Sequence, residues 1–451
     1  MIELPYGSKP MQIKDPPNLK AVVLPNDKPG MPDFQAELRK VLDNPIGQKP
    51  LREMSKNAKK VAVIISDPAR RFPKTETFNV VREYLPQPDS DITIIIAYAK
   101  HPVLPPERWG LSDEIIKRYK IINHTCNDLG AMKKIGTTPH RLKDFYIDYI
   151  WDEIKRSLKH ALPTLGRFLQ NLFTLDFKAL RQMIRLGIIG RLLFAFLASR
   201  KKMVFINKAV AEADLVIGLG QIKPHYFAGY SGGAKSILPG VAHIATIGPN
   251  HFMKTHPKAK LGIIEENVVR QDMEAAAALV PNFFIVNVVV SSKGEPVKVV
   301  AGDYIKAHRE GVKTAWEMFE VKFPARSVEI VIVSDSLPVT MNIYQTTKTI
   351  APAAIIVKPG GVIIAVAECP DGVGGALVIN EVIYQLGLTR YLPENVDCLL
   401  VSGLADKDVC TTFCRPAHTV EEALAFAFKK CGSKAEVVVL PRATFIVPIA
   451  G

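Results

Sequence analysis

The stretch "KKVAVIISD", residues 59–67, indicates the fold class because five consecutive apolar residues lead directly into Ser66 and Asp67. A strand this apolar is buried on both faces, which is typical of a parallel sheet covered by helices. Comparable runs occur at residues 91–99 and 213–220, and helical stretches alternate with them. The sequence therefore predicts an α/β fold with mainly parallel sheets.

Two domains are expected because 451 residues exceed the size of one ordinary hydrophobic core. A helical stretch ends and a new series of strands begins near residues 320–326. We therefore predict an N-terminal domain at residues 1–324 and a C-terminal domain at residues 325–451, with the active site in the cleft between them. The remaining predicted strands are at residues 283–291, 329–336, 353–367 and 435–441.

Residues 141–206 form a basic segment with 13 Lys or Arg and 5 Asp or Glu, so it carries a net charge of +8 out of +14 for the chain. Apolar residues at spacings of three and four predict two or three amphipathic helices inserted in the N-terminal domain. The alternatives are a helical lid, an oligomer interface and a surface that contacts anionic membranes. Nucleic-acid binding is not expected, since aromatic residues do not interleave with the basic ones.

The first residues, "MIELPYGSKPMQIKDPP", lack the basic start and apolar core of a secretory signal, which favours a cytoplasmic location. The six cysteines are too dispersed for a disulfide framework. We interpret Cys410 and Cys414 as a buried pair on one helix, because no further Cys pair completes a metal site.

Polar side chains follow the first three predicted strands at their carboxyl ends, where ligands bind in open α/β sheets. Two of them are His101 and His225, and two histidines on opposite sides of a substrate carbon could exchange protons with it. Gln345 and Lys348 lie three residues apart in the second domain and would share a helix face. The other polar residues at these strand ends are Asp67, Arg70 and Lys235.

The glycine-rich stretch "GYSGGAKS", residues 229–236, resembles a phosphate-binding loop but has Ala234 where that motif needs glycine. Pro239 follows too soon for the long helix that a phosphate loop begins. The glycines fit better with a backbone that wraps a bulky ligand, with Lys235 as a plausible covalent anchor. The short spacings of a conventional zinc site are missing, so any metal would need ligands from a cofactor.

The stretches "PHYFAGYSGGAKSILPG" (224–240), "SDPARRFP" (66–73) and "YQTTK" (344–348) resemble the lactate racemase family. The resemblance implies a nickel-pincer nucleotide, which is a pyridinium-3,5-bisthiocarboxylic acid mononucleotide whose sulfur-bearing arms hold nickel. It implies that this cofactor is linked to Lys235 and that His251 is the protein's nickel ligand. It further implies cofactor contacts from Asp67, Gly232, Gly233 and Lys348, substrate contacts from Arg70, Gln345 and Lys348, and an acid/base pair of His101 and His225.

The implied reaction is racemisation or epimerisation of a 2-hydroxy acid by reversible hydride transfer to the cofactor, which biosynthetic enzymes must supply as transient partners. The chain differs from the family pattern at Pro102 and within "LPVTMNI" (337–343), which leaves the identity of the hydroxy acid open. Two other functions remain open at this point. One is a hydratase or lyase without the pincer cofactor, and the other is a non-catalytic homologue that binds hydroxy acids.

Overall fold

The computed structural model describes residues 1–141, 201–374, 392–410 and 412–449. The strands are β1 Ile2–Tyr6, β2 Lys9–Ile13, β3 Leu19–Val22, β4 Val61–Ser66, β5 Ile92–Ala97, β6 Lys120–Asn123, β7 Met132–Arg141, β8 Lys201–Asn207, β9 Leu215–Ile222, β10 Pro224–His225, β11 Gly229–Tyr230, β12 Phe283–Val290, β13 Pro296–Asp303, β14 Glu320–Lys322, β15 Val328–Ser334, β16 Val357–Val366, β17 Asp397–Val401, β18 Cys414–Ala417, β19 Val437–Leu440 and β20 Val447–Ile449. The helices are α1 Phe34–Asp43, α2 Leu51–Ser55, α3 Lys74–Arg82, α4 Asp113–Arg118, α5 Lys208–Ala211, α6 Ile244–Phe252, α7 Val268–Ala277, α8 Lys306–Phe319, α9 Ile343–Thr346, α10 Ile350–Ile356, α11 Asp406–Val409 and α12 Val420–Cys431.

The first large sheet has six strands in the order β13-β12-β9-β4-β5-β6. All neighbours pair in parallel except β12 and β13, which are antiparallel. Every residue of β9 and β12 is buried, as expected for strands covered on both faces. Side chains from α1 and α3 pack on one face, and side chains from α7 and α8 pack on the other. The predicted α/β class with mainly parallel sheets is confirmed.

The second large sheet also has six strands, in the order β18-β17-β16-β15-β19-β3, and all of them are parallel. Its edge strand β3 comes from the N-terminus and pairs with β19 across more than four hundred residues of chain. The hairpin of β1 and β2 packs on the same sheet through Ile2, Leu4 and Ile13. Residues 2–22 therefore lie with the second sheet, which differs from the predicted assignment of residues 1–324 to one domain. Their short strands carry no sequence signal of which sheet they join.

Two predictions of local structure are wrong. Residues 353–356 were expected to begin a strand, but they belong to α10, and β16 starts at Val357. A short buried helix and a buried strand are both continuously apolar, so periodicity cannot separate them. Cys410 is exposed after the short helix α11 and Cys414 begins strand β18, so the two do not share a helix.

Strands β7 and β8 pair antiparallel and bracket the basic insertion. The helices predicted there fall at residues 142–200, which lie outside the described residues. Residues 201–206, which were assigned to the insertion, form most of β8 instead. Among the helices that the structure describes, none is both long and apolar enough to cross a bilayer.

Candidate active site

A central cavity of about 100 Å³ lies at the carboxyl ends of the adjacent strands β9, β4 and β5. The second sheet's domain closes it with Tyr344 of α9 and with Lys348 of the turn that follows. Gln345 borders two adjoining cavities, and Gly233 lies next to the lining residue Gly232. The other predicted site residues on its wall are Asp67, Arg70, His101, His225, Lys235 and His251.

His101 follows β5 and is paired with Asp67, which follows β4. The Nδ1 atom of His101 lies 2.6 Å from Oδ2 of Asp67. Burial raises the pKa of Asp67, but the charge and hydrogen bond of His101, together with Arg70, outweigh burial and hold that pKa below its ordinary value. An ionised Asp67 accepts the Nδ1 proton, so the free lone pair of a neutral His101 is on Nε2.

Gln345 and Lys348 extend this pair from the second domain. The Nε2 atom of Gln345 lies 3.0 Å from Nε2 of His101, and Lys348 Nζ donates to the Gln345 side-chain oxygen. The lysine fixes the orientation of the amide, because its ammonium can only donate to oxygen. The amide NH₂ group therefore faces His101. The predicted shared face of Gln345 and Lys348 is confirmed by this contact.

His225 is held in a tight hairpin formed by β10 and β11. Its Nδ1 accepts a hydrogen bond from the backbone N–H of Ala228 at 3.3 Å, which leaves the ring proton on Nε2. Its ring packs against Phe227 with the centroids 4.5 Å apart. Burial lowers the pKa of His225 well below its ordinary value, and the nearby charges of Lys235 and Lys348 lower that pKa further. His225 is therefore neutral and carries its one ring N–H at Nε2.

Lys235 lies in a 3₁₀ turn, residues 233–236, after a glycine pair with positive φ angles. A Cβ atom at Gly232 would lie 2.7 Å from the side-chain oxygen of Asn287, and one at Gly233 would lie 2.9 Å from the ring of His308. Protein atoms thus require both glycines. Burial lowers the pKa of Lys235 well below its ordinary value, and the positive neighbour Arg270 lowers that pKa further. A neutral amine is the nucleophilic form of lysine.

His251 lies near the end of α6, and a neighbouring side chain holds its ring through Nδ1. Its Nδ1 lies 3.2 Å from the side-chain oxygen of Asn250, and Nδ2 of Asn250 donates to Asp272 at 2.9 Å. Lys202 forms a buried ion pair with Asp272. Burial, with Lys100 and Lys235 nearby, lowers the pKa of His251 well below its ordinary value. The imidazole is neutral, as a metal ligand must be.

The cavity is strongly cationic. Arg70, Lys100, Lys235 and Lys348 line it, whereas Asp67 is the one carboxylate on its described wall. Burial lowers the pKa of Lys348 well below its ordinary value, and Arg70 adds to this effect. Burial disfavours the charged form of these basic side chains, so the cavity favours an anionic ligand, whose negative charge would stabilise that form.

The residues present fit a covalently tethered anionic cofactor. Within the described part of the chain, Lys235 has no carboxylate partner, and its Nζ lies 5.7 Å from the centroid of the Phe227 ring. Groups of three or more His, Cys, Asp or Glu that could hold a metal do not occur among those residues. His251 could supply one ligand to a metal, and a bound organic group would have to supply the others.

Sequence reasoning missed three residues that the structure brings to the site. Tyr344 packs its ring edge against His101 at 6.4 Å between centroids, and burial raises its pKa to about 12. Lys100 lines the cavity directly before His101, and Asn250 supports His251. Each of the three directly precedes a predicted site residue in the sequence, and this position was the only sequence feature that pointed to it.

Comparisons with known proteins match this chain along most of its length. The family model described as "Lactate racemase N-terminal domain" matches residues 6–155 and 197–262, and the one described as "Lactate racemase C-terminal domain" matches residues 323–392. A lactate racemase from Thermoanaerobacterium thermosaccharolyticum is 29% identical over 484 residues, covering 99% of this chain and 98% of its own. A lactate racemase from Lactiplantibacillus plantarum is 28% identical, covering 90% of this chain and 89% of its own.

Two solved structures resemble this fold along most of their length. The lactate racemase apoprotein from T. thermosaccharolyticum superposes with a TM-score of 0.76 at 25% identity, covering 99% of each chain. A protein from Thermotoga maritima superposes with a TM-score of 0.62 at 13% identity, covering 92% of this chain and 98% of its own. The second likeness concerns the fold alone.

Proposed function

The chain belongs to the lactate racemase family, and from this membership we propose that it interconverts the two configurations at C2 of a 2-hydroxy acid. The coarser assignment, an isomerase of the racemase type, follows from the relatives themselves. The finer assignment concerns the cofactor, the direction of proton transfer and the residues that perform it. It rests on the arrangement around the central cavity.

Arg70 and Lys348 hold the carboxylate of the substrate. Both line the cavity from different domains, so an anion between them would bridge the cleft. A guanidinium can bind a carboxylate through two parallel hydrogen bonds, and an ammonium neutralises the remaining charge. This grip keeps the carboxylate in place while the rest of the molecule turns about the bond to C2.

His101 and His225 move the hydroxyl proton. His101 has its lone pair on Nε2, because Asp67 holds the proton on Nδ1. The Gln345 amide occupies this lone pair in the structure, and the substrate hydroxyl would replace the amide there and give up its proton. His225 offers Nε2–H, which can donate a hydrogen bond to the substrate oxygen. An anionic substrate would offset the positive charges around His225 and raise the pKa of this histidine. His225 could then act as the acid in one direction of the reaction and as the base in the other.

The nickel-pincer nucleotide would be held by Lys235 through its amine and by His251 through Nε2, with Gly232 at the cavity wall. When bound, this group supplies the chemistry that the chain lacks, namely acceptance and return of the C2 hydrogen as hydride. Arg70, Lys100 and Lys348 provide positive charge for its phosphate and for the substrate.

The single observation that carries the proposal is that two histidines lining one cavity differ at Nε2, where one has a lone pair and the other has a proton. His101 accepts at Nε2 and His225 has its N–H at Nε2, and both line a space that also contains the buried Lys235, which has no carboxylate partner among the described residues. A binding protein would need cations for the carboxylate, but it would not need two differently poised imidazoles. A hydratase or lyase would not need the neutral amine of Lys235.

The test is to co-produce the chain with the enzymes that make the cofactor and to analyse the purified protein in two ways. Mass spectrometry should find added mass on the peptide that contains Lys235. Chiral chromatography should find both configurations of C2 after incubation with one enantiomer of a 2-hydroxy acid. Lys235→Ala should lose both signals, and the surface variant Lys40→Ala should keep both. Racemisation by unmodified protein would overturn the proposal.

A further inference from the structure

A second cavity of about 100 Å³ adjoins the central one behind His101. Asp67, Lys100, His101 and Tyr344 line both cavities, so these four residues form the border between them. A substituent that extends past His101 from a ligand in the central cavity would enter this second space. Its volume is several times that of a water molecule, which occupies about 30 Å³ in the liquid.

Among the described residues, the part of the second cavity beyond this border is lined by four apolar side chains and by three polar ones, those of Asn342, Gln345 and Asp371. Its side chains include Pro102, Leu104 and Met341, and Met341 is only 8% exposed. Asn342 also lies there, but its side-chain oxygen already accepts the backbone N–H of Gln345 at 2.9 Å. This side-chain oxygen is therefore already engaged in a hydrogen bond within the protein.

Two further residues of this wall do not offer a free charge. Asp371 is paired with Arg108 at 3.8 Å. Gly374 presents backbone only, and a Cβ there would lie 2.8 Å from the side chain of Asn342. Among the described residues beyond the border, no unpaired charge faces the space.

A third cavity could be considered for the same substituent, but its walls are unsuitable. It has a volume of about 30 Å³, and although apolar side chains such as Leu261 and Val339 line part of it, Arg70, Lys223 and Lys348 line it as well. Placing an apolar group there would desolvate three cations without compensation. The second cavity is larger, and its outer wall carries apolar side chains in place of cations.

We infer that the second cavity is the binding subsite for the substrate's side chain and that it selects 2-hydroxy acids with an apolar tail longer than a methyl group. This inference rests on the proposed function, which puts the carboxylate and C2 in the central cavity. A tail that carries a second carboxylate would lose its hydration and gain no unpaired cation beyond the border. Each methylene buried there is expected to tighten binding roughly fourfold.

The experiment compares lactate, 2-hydroxybutyrate, 2-hydroxyhexanoate, 3-phenyllactate and malate with the cofactor-loaded enzyme. Racemisation gives kcat and KM for each acid, and calorimetry gives the dissociation constant independently of turnover. We expect kcat/KM to rise with the length of the apolar tail, mainly through KM, and to be lowest for malate. Leu104→Gln should reduce this rise, with a loss that grows with tail length, and Leu104→Met should restore it.

Val103→Gln is the matched control, because Val103 is the exposed neighbour of Leu104 and lines neither cavity. If lactate or malate is preferred, or if Leu104→Gln and Val103→Gln behave alike, the subsite is refuted while the racemase function stands. If no acid is racemised but binding tightens with tail length and weakens in Leu104→Gln, the subsite stands and the proposed function fails. Absence of both turnover and binding overturns both.

Discussion

The Nδ1 atom of His101 and the Oδ2 atom of Asp67 lie 2.6 Å apart, although the two residues follow different strands. Both strands end at the same edge of the first sheet, where β4 and β5 are neighbours. The carboxylate fixes the tautomer of the imidazole by accepting its Nδ1 proton. Asp67 is thus a positioning residue for the histidine that, in the proposed function, meets the substrate.

Asp67→Asn should therefore impair the acid/base step more than substrate binding. An amide can present N–H to Nδ1, which would move the ring proton to Nε2 and block the lone pair that accepts the substrate proton. We expect kcat to fall by about 10² to 10⁴-fold with a smaller change in KM. Steady-state racemisation by the loaded enzyme measures this split. The exposed carboxylate variant Glu37→Gln serves as control, and equal losses in both variants would contradict the assigned role.

The lowered pKa of Lys235 predicts unusual reactivity before any cofactor is attached. A small acylating reagent attacks the neutral amine, so labelling of Lys235 should reach half its maximum at a lower pH than labelling of Lys40. The pKa of Lys40 is raised by its hydrogen bond to Glu37, which makes it an internal reference in the same sample. Quantitative peptide mass spectrometry across a pH series measures both midpoints. If Lys235 and Lys40 had the same labelling midpoint, the amine of Lys235 would not be more readily deprotonated than that of an exposed lysine, and the prediction would be wrong.

Buried lysines also predict how stability depends on pH. Burial lowers the pKa of Lys223 to about 8, although the nearby Asp335 opposes this effect. In the unfolded chain the pKa returns to about 10.4. Below the folded value both states bind the proton, and the cost of burying the charge is fully present. Between the two values only the unfolded state keeps the proton, so stability rises with pH.

We therefore expect the cofactor-free protein to gain stability between about pH 7.5 and pH 9.5, with Lys223 contributing on the order of 1–2 kcal/mol. Urea unfolding at both pH values measures the gain. Lys223→Met should lower it by that amount, even though the substitution also removes the hydrogen bond from Lys223 to Thr444 at 3.0 Å. Lys40→Met should leave the gain unchanged, because the hydrogen bond to Glu37 raises the pKa of this exposed lysine, so that it stays protonated in both states across this pH range. A slope that is the same in all three proteins would refute the prediction.

Local pattern predicted seven of the twelve strands of the two large sheets, because long apolar runs bounded by polar residues leave few alternatives. It missed the strands β3, β6, β13, β17 and β18. It also predicted the gathering of Asp67, His101 and His225, since parallel strands end at one edge. Sequence pattern failed at residues 353–356, because a buried helix and a buried strand have the same continuously apolar sequence. It also failed to predict that β3 pairs with β19, because the two strands are distant in sequence. Side-chain contacts such as Gln345 with His101 depend on how two domains meet, which no local pattern encodes.

The hydrogen bonds that link His251 to Asn250 and Asn250 to Asp272 predict a variant that loses metal while keeping its fold. Asn250 is fully buried, accepts from the Nδ1 side of His251 and donates to Asp272. Asn250→Ala leaves the imidazole free to rotate and removes the group that fixes its tautomer. Partners of this kind are worth about 10- to 100-fold in metal affinity. We expect the co-produced variant to retain less nickel per folded molecule during dialysis against a chelator.

A separate variant distinguishes this effect from simple destabilisation. Thr419 caps helix α12 in the other domain by accepting the backbone N–H of Glu422 at 3.0 Å. Thr419→Ala should lower stability by about 1 kcal/mol without touching the cavity. Nickel content measured by atomic emission should therefore stay at the wild-type level in Thr419→Ala and fall in Asn250→Ala, even at equal unfolding midpoints. If nickel loss follows stability in both variants, Asn250 acts only through the fold and His251 does not depend on it for orientation.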